Sequence, residues 1–272
     1  LTKQLSKPII LFLDLLALLI LLAYSGLALI SQVRLDFAAV QLDPIWAQVQ
    51  AQKQIRVATD VGFRPFADER DGKLIGYDID LARAVANQMG VQVEFVPTGF
   101  DALYDALTSG RADMIASALP YAPEFGYRAR FSTFYFDAGQ VLVVQDDSTI
   151  TGQDDLVGRR VGAALGSDAD TYARRLAAAN KHMTLDSQYD EPAQAITDLR
   201  RGILDAVITD NVTALSAIQS RSGLRIASAL TSEPYVLAVP AEAFQLQAEV
   251  NEALDQLRSE GFFEKLNARW FR

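Results

Sequence analysis

Leu107-Thr108-Ser109-Gly110-Arg111-Ala112-Asp113 returns further along the chain as Leu199-Arg200-Arg201-Gly202-Ile203-Leu204-Asp205. In both copies a glycine sits between a leucine and an aspartate at equal spacing. Glycine ends a helix because it accepts the left-handed backbone that a helix terminus needs. An apolar run follows each copy: Met114–Ser117 after the first, Leu204–Thr209 overlapping the second. Each copy therefore reads as a helix, a stop and a buried strand. Ser117 and Thr209 stand at matching places, at the C-terminal ends of those strands. Open α/β sheets bind ligands just beyond such ends, so two of these edges facing each other would make a cleft.

From Gln54 the chain alternates strand and helix. Ile55–Thr59 reads as a strand and Asp71-Gly72 as a turn. Asp78 reads as the cap of a helix with an apolar face of Ile79, Leu81, Val85 and Met89, stopped by Gly90. Val91–Val96 is the next strand, Phe100-Asp101 opens the helix ending at Gly110, and Met114–Ser117 completes a β-α-β-α-β set. That order implies a mostly parallel sheet covered by helices. In the second set Arg160–Ala164 is a strand, Gly166-Ser167 leads into a helix from Ala169 to Ala179, and Glu191-Pro192 opens a helix that Gly202 stops. Gln140–Val144 and Tyr235–Pro240 flank this set and read as the connections between two lobes. Phe244–Ser259 and Phe262–Phe271 read as helices returning to the first lobe. The fold class is α/β, two-lobed with two hinge crossings, preceded by an N-terminal apolar helix. Residues 1–31 are expected to be a membrane anchor or signal peptide. Residues 32–53 form a spacer lying against the domain or the membrane surface, 54–140 with 235–272 make lobe 1, and 141–234 make lobe 2.

Composition narrows the function. The 272 residues are 50% hydrophobic and carry a net charge of −9; the isoelectric point is near 4.7 and the mean hydropathy +0.10. A chain of this charge repels a phosphate backbone, which argues against nucleic acid. It has no cysteine and one histidine, His182, in the polar stretch Ala179-Asn180-Lys181-His182. Disulfides, thiolate metal sites and cysteine nucleophiles are excluded, and a single histidine builds no multi-histidine metal site. Lys3 and Lys7 precede an apolar run from Pro8 to Ile30 that Asp14 interrupts. The run is long enough to span a bilayer, and the lysines before it place its start in the cytoplasm and the rest of the chain outside. An uncleaved anchor is favoured over a signal peptide, for which Gly26-Leu27-Ala28 offers a weak cleavage site.

Ile55-Arg56-Val57-Ala58-Thr59-Asp60 with Phe63-Arg64-Pro65-Phe66, then Gly72-Lys73-Leu74-Ile75-Gly76-Tyr77-Asp78-Ile79-Asp80-Leu81, resembles the opening of type 2 periplasmic solute-binding proteins of polar amino-acid ABC transporters. Phe100-Asp101-Ala102-Leu103, Phe131-Ser132 with Tyr135-Phe136, Asp155-Leu156 with Gly158, Asp205 to Asp210, and Gly261 with Lys265-Leu266 and Trp270-Phe271 extend the resemblance from about residue 54 to the end. It implies a receptor that closes on an α-amino acid without changing it and passes it to a membrane permease, as a monomer needing no cofactor or metal. Asp210 would pair with the ligand's ammonium, and Phe63 and Phe100 would sandwich its side chain. Asp60, Ser117 and Ala118 would supply loop, hydroxyl and backbone groups. Ser167 and Asp168 would stand at a helix start whose free N–H groups suit a carboxylate. For each residue a plainer role competes: a helix cap for Asp210, core packing for the two phenylalanines.

The departures carry information. The family usually binds the α-carboxylate with an arginine five residues after a serine or threonine; here those positions are Phe125 and Pro120. Arg128 is the nearest substitute, with Arg64 and Arg130 behind it. Asp168 stands where the family usually has a neutral residue. The leading reading is the extracytoplasmic substrate-binding component of an importer, at the periplasmic or extracellular face of the cytoplasmic membrane. A dehydratase on the same scaffold, resembling cyclohexadienyl dehydratases, would need a general acid that no motif singles out. A sensing module would need a separate signalling partner.

Overall fold

The computed structural model describes residues 18–25, 43–179, 182–221 and 223–271. Residues 18–25 are helical (α1) with exposed side chains. Among the described residues no helix is long and apolar enough to cross a membrane. Most of the run from Pro8 to Ile30, and with it the expected anchor, lies outside them. From Ile45 the chain forms one compact unit. It begins in α2 (Pro44–Gln52), whose Val49 is buried in the core of lobe 1 with Ile45 and Trp46 against the same cluster. That part of the spacer rests on the domain.

Lobe 1 runs through β1 (Gln54–Thr59), a hairpin of β2 (Asp68–Arg70) and β3 (Lys73–Ile75), α3 (Tyr77–Gln88), β4 (Gln92–Pro97), α4 (Leu103–Thr108), β5 (Met114–Pro120), β6 (Ala129–Phe131) and β7 (Phe136–Asp137). Lobe 2 follows with β8 (Gln140–Gln145), β9 (Arg160–Ala164), α5 (Asp168–Ala179), β10 (Thr184–Tyr189), α6 (Pro192–Arg200), β11 (Ala206–Asp210), α7 (Asn211–Ser220) and β12 (Leu224–Ala229). The chain then returns through β13 (Pro234–Pro240), α8 (Phe244–Ser259) and α9 (Phe262–Trp270). The sheet of lobe 1 has the order β4-β1-β5-β13-β6 with β7 beside β13, and that of lobe 2 has the order β10-β9-β11-β8-β12. β1 pairs in parallel with β4 and β5, as β9 does with β10 and β11. The two segments expected as connections are strands inside these sheets: β8 lies antiparallel between β11 and β12, and β13 antiparallel to β5 and β6. Their unbroken apolar runs are those of strands buried on both faces. Val141 and Val143 enter one core cluster while Leu142 and Val144 enter another. In β5, Met114 and Ala116 face α3 and α8, while Ile115 and Leu119 face α4. The last helix is tied to lobe 1 where the Trp270 indole donates to Asp80 at 2.9 Å.

The repeated heptad makes the same latch twice. Asp113 accepts the Arg56 backbone N–H at 2.9 Å and its guanidinium at 3.0 and 2.6 Å, while Arg56 Nη1 donates to the Gly110 carbonyl at 2.7 Å. In lobe 2, Asp205 accepts the Arg160 N–H at 2.7 Å and Nε at 3.4 Å, and Nη2 donates to the Gly202 carbonyl at 2.8 Å. Gly110 and Gly202 have φ of 69° and 73°, a backbone that glycine adopts without the Cβ penalty. Each latch fastens the start of the lobe's first parallel strand to the start of the strand beside it.

The chain changes sheet between Asp137 and Gln140 and again between Ala229 and Pro234. The Asp137 carboxylate joins these crossings, accepting the Ser232 hydroxyl at 2.7 Å and the Glu233 N–H at 2.8 Å. Gly139 lies so close to the other crossing that a Cβ there would sit 2.3 Å from the Thr231 carbonyl oxygen.

The latches differ in burial: the Arg56 and Asp113 side chains are 27% and 5% exposed, those of Arg160 and Asp205 50% and 30%. Asp113→Ala should therefore cost about 2–3 kcal/mol and Asp205→Ala about 1 kcal/mol. Urea unfolding measures both, and equal losses would contradict the role given to burial.

Candidate functional site

On lobe 1 the end of β1 delivers Asp60, whose backbone N–H donates to the Ser117 hydroxyl at 2.8 Å. Ser117 is buried midway along β5, which runs on to Pro120 and not, as expected, only to Ser117. The next residue, Ala118, has φ of 43°, and its N–H points back to the Asp78 carboxylate. Asp78 lies in the first turn of α3, whose N-cap is Gly76. The expected capping role is thus replaced by another: this fully buried carboxyl fixes the strand end beneath the site. Burial pushes its pKa up to about 7, against the opposing pull of the Tyr135 hydroxyl and the Ala118 N–H. Phe63 and Phe100 leave 49% and 46% of their surface exposed, so neither is a core residue. Phe63 stacks on Phe66 with centroids 5.6 Å apart, and Phe66 anchors a buried aromatic cluster with Tyr77, Phe136, Tyr235 and Phe271.

On lobe 2 the Ser167 hydroxyl donates to the Ala164 carbonyl at 2.7 Å and accepts the Asp170 N–H at 3.1 Å, capping α5. Asp168 is the first residue of that helix and is exposed. Asp210 ends β11 and caps α7, one oxygen accepting the Thr213 N–H at 2.8 Å. Among the described residues its other oxygen has only the Thr209 hydroxyl, at 3.4 Å. Capping therefore leaves half of this carboxylate available. Ser167, Asp168, Thr209 and Asp210 line one pocket of about 180 Å³ with Gln140. An adjoining pocket of about 270 Å³ shares Gln140 and Asp168 and adds Arg175, Thr231 and Glu233.

The structure thus brings together the three lobe 2 candidates. On lobe 1 it joins Asp60 to Ser117 and Ala118, and sets Phe63 and Phe100 as exposed rings. Sequence reasoning passed over Glu233, which lies in the second crossing outside any motif. Burial raises its carboxyl pKa, and the negative charges of Asp168, Asp137 and Asp210 raise it further. The lobe 2 edge thus carries three carboxylates, Asp168, Asp210 and Glu233, against the one guanidinium of Arg175.

The arginines named as substitutes are engaged elsewhere. Arg128 pairs with Asp105 of α4 and lies over the Tyr104 ring, 5.7 Å from its centroid. Phe125, at the position of the family's arginine, stacks on the same ring at 4.5 Å. Arg130 donates to the Ala241 carbonyl at 2.7 Å, and Arg64 pairs with Asp68 at 2.8 Å.

The family model of the bacterial extracellular solute-binding proteins, family 3, matches residues 55–272. The chain belongs to this family. Within the family, the arginine-binding extracellular protein ArtP of Bacillus subtilis is 28% identical over 81% of this chain and 87% of its own length. A probable amino-acid ABC transporter-binding protein of Haemophilus influenzae is 30% identical over 82% of this chain and 87% of its own. Among solved structures, the L-cystine solute receptor of Neisseria gonorrhoeae in its unliganded open conformation aligns at a TM-score of 0.71. It is 28% identical over 83% of this chain and 96% of that one. The two-lobed architecture of this chain is that of a family 3 receptor, and the family works outside the bacterial cytoplasm.

Asp78 sets a pH dependence. Its folded-state pKa of about 7 lies above the ordinary 3.8. The folded form therefore holds a proton that the unfolded chain has released. The stabilisation is full below the unfolded value and is lost as pH rises through about 7. Asp78→Asn keeps an acceptor for the Ala118 N–H and should flatten the fall in stability between about pH 4 and 7. Denaturation midpoints across that range measure it, and an unaltered slope would remove Asp78 as the cause.

Proposed function

We propose that this receptor of an amino-acid ABC importer prefers ligands of net positive charge: basic amino acids, amines or quaternary ammonium compounds. The observation that carries the reading is the charge of the cleft edge. Among the described residues Asp168, the half-available Asp210 and Glu233 gather on lobe 2 and outnumber the one guanidinium that lines the same pockets, Arg175, while Asp60 stands on lobe 1 and Arg128 and Arg130 are engaged elsewhere. An ammonium closed between the lobes would find the open oxygen of Asp210, and such a charge-assisted bond is strong where water is excluded. A free α-carboxylate in the same place would meet three carboxylates against the one guanidinium of Arg175, a net repulsion that an ammonium does not face. The exposed rings of Phe63 and Phe100 would hold a cation against their faces. The arginine bound by the Bacillus subtilis relative has the sign this cleft favours. The receptor acts as a monomer, passes its ligand unchanged to the permease and has no nucleic-acid partner. The run from Pro8 to Ile30 keeps it anchored at the membrane.

A thermal-shift panel tests the preference, since a ligand at a hundred times its dissociation constant stabilises by about 2.7 kcal/mol. Arginine, lysine or choline should raise the melting temperature and glutamate should not. Strong stabilisation by glutamate that disappears in Arg128→Ala would sink the proposal and restore the family's usual grip. Asp210→Asn keeps the cap on α7 and removes the charge. It should weaken binding by about 2–5 kcal/mol, whereas Asp146→Ala should leave affinity unchanged. Equal, mild effects in calorimetric titration would remove Asp210 from the site.

A further inference from the structure

Away from the acidic edge, the helices α6 and α7 of lobe 2 and the segments around Arg64 and Trp270 of lobe 1 enclose a groove of about 1000 Å³. This is the upper range of small-molecule sites. Among the described residues its lining includes Arg64, Arg200, Arg201 and Arg221 and no carboxylate, in a chain whose net charge is −9. The arginines are held in place. Arg200 Nη2 donates to the carbonyls of Ala217 at 2.7 Å and Arg221 at 2.9 Å, which fastens one end of α6 to the end of α7. Arg201 reaches Asp198 at 3.4 Å, and Arg64 shares Asp68 with Arg70.

Guanidinium groups held side by side repel one another, and an anion brought between them relieves that repulsion. Burial lowers the pKa of Arg200, and the neighbouring charge of Arg221 lowers it further against the weaker opposing pull of Asp146. The lobes already meet beside the groove, where Val212 and Leu215 of α7 pack against the lobe 1 core. We propose that this groove is a second binding site, selective for a multivalent oxyanion such as a phosphate-bearing small molecule. Arg64 grips it from lobe 1 and Arg200, Arg201 and Arg221 from lobe 2. The fork of each guanidinium matches the paired oxygens of a phosphoryl group. Because both lobes contribute, the anion lies across the gap between them; neither Asp210 nor Ser117 lines this groove, though Asp210 accepts the N–H of Thr213, which does.

Calorimetric titration of the full chain with pyrophosphate, and in parallel with glycerol 3-phosphate, tests the site. Saturable binding of one anion per chain is expected, weakening as salt screens the arginines. Arg201→Gln with Arg221→Gln should raise the dissociation constant tenfold or more. Arg64→Gln alone should raise it severalfold, because lobe 1 supplies a single cation. These changes fall on exposed side chains, and an unchanged melting temperature verifies the fold. Arg111→Gln, exposed and outside the groove, should change nothing. Stronger binding of pyrophosphate points to a soluble polyphosphate, and stronger binding of glycerol 3-phosphate to a lipid headgroup. No saturable binding of either, or an Arg111→Gln loss matching that of the double variant, would overturn the proposal.

Discussion

A carboxylate that holds both the backbone and the guanidinium of a neighbouring strand fixes each sheet of this receptor. Asp113 does this for Arg56, and Asp205 for Arg160. One side chain satisfies a backbone N–H in the first half of a strand and also neutralises that strand's arginine, so the register of the parallel pair is set near its start. A one-residue slip would break the latch and turn every buried side chain to the opposite face. The glycine carbonyl that completes the latch also ends the preceding helix. Helix length, strand register and strand order are therefore fixed by one cluster of groups.

The register set at one end determines what appears at the other. With β1 and β5 aligned from Arg56 and Asp113, β1 ends where the Asp60 N–H reaches the Ser117 hydroxyl midway along β5. Asp78 then tethers Ala118 from below. In lobe 2 the same logic places Thr209 and Asp210 beside the capped start of α5. The proposed binding edge rests on groups set back from it, some of them a full strand length away.

Much of this was legible in the sequence because it depends on local chemistry. Glycines at helix ends, Pro192 in a first turn and the paired heptads each have a mechanism that works over a few residues. β9 and α8 lie where the apolar pattern put them. What escaped depends on residues far apart in the chain. Asp78 has the composition and position of a capping residue, and only the arrival of Ala118 from β5 makes it a buried anchor. Gln140–Val144 and Tyr235–Pro240 carry the pattern of buried strands, but their place inside the sheets depends on antiparallel partners remote in sequence. β10 was missed because Thr184–Tyr189 is polar. Glu233 and the four-arginine groove follow from the meeting of lobes, which no short window of sequence contains.

Gly139 sets a mechanical limit on the molecule. Its backbone touches that of Thr231 so closely that two crossing segments behave as one leaf, riveted by the three bonds of Asp137 to Gly139, Ser232 and Glu233. A leaf of this kind resists shear and twist but bends readily about a line across its width. Rotation about that line is the relative motion of the lobes that these ties resist least. Closure is then a scalar coordinate, so a group added far from the axis travels a long arc while one near it hardly moves.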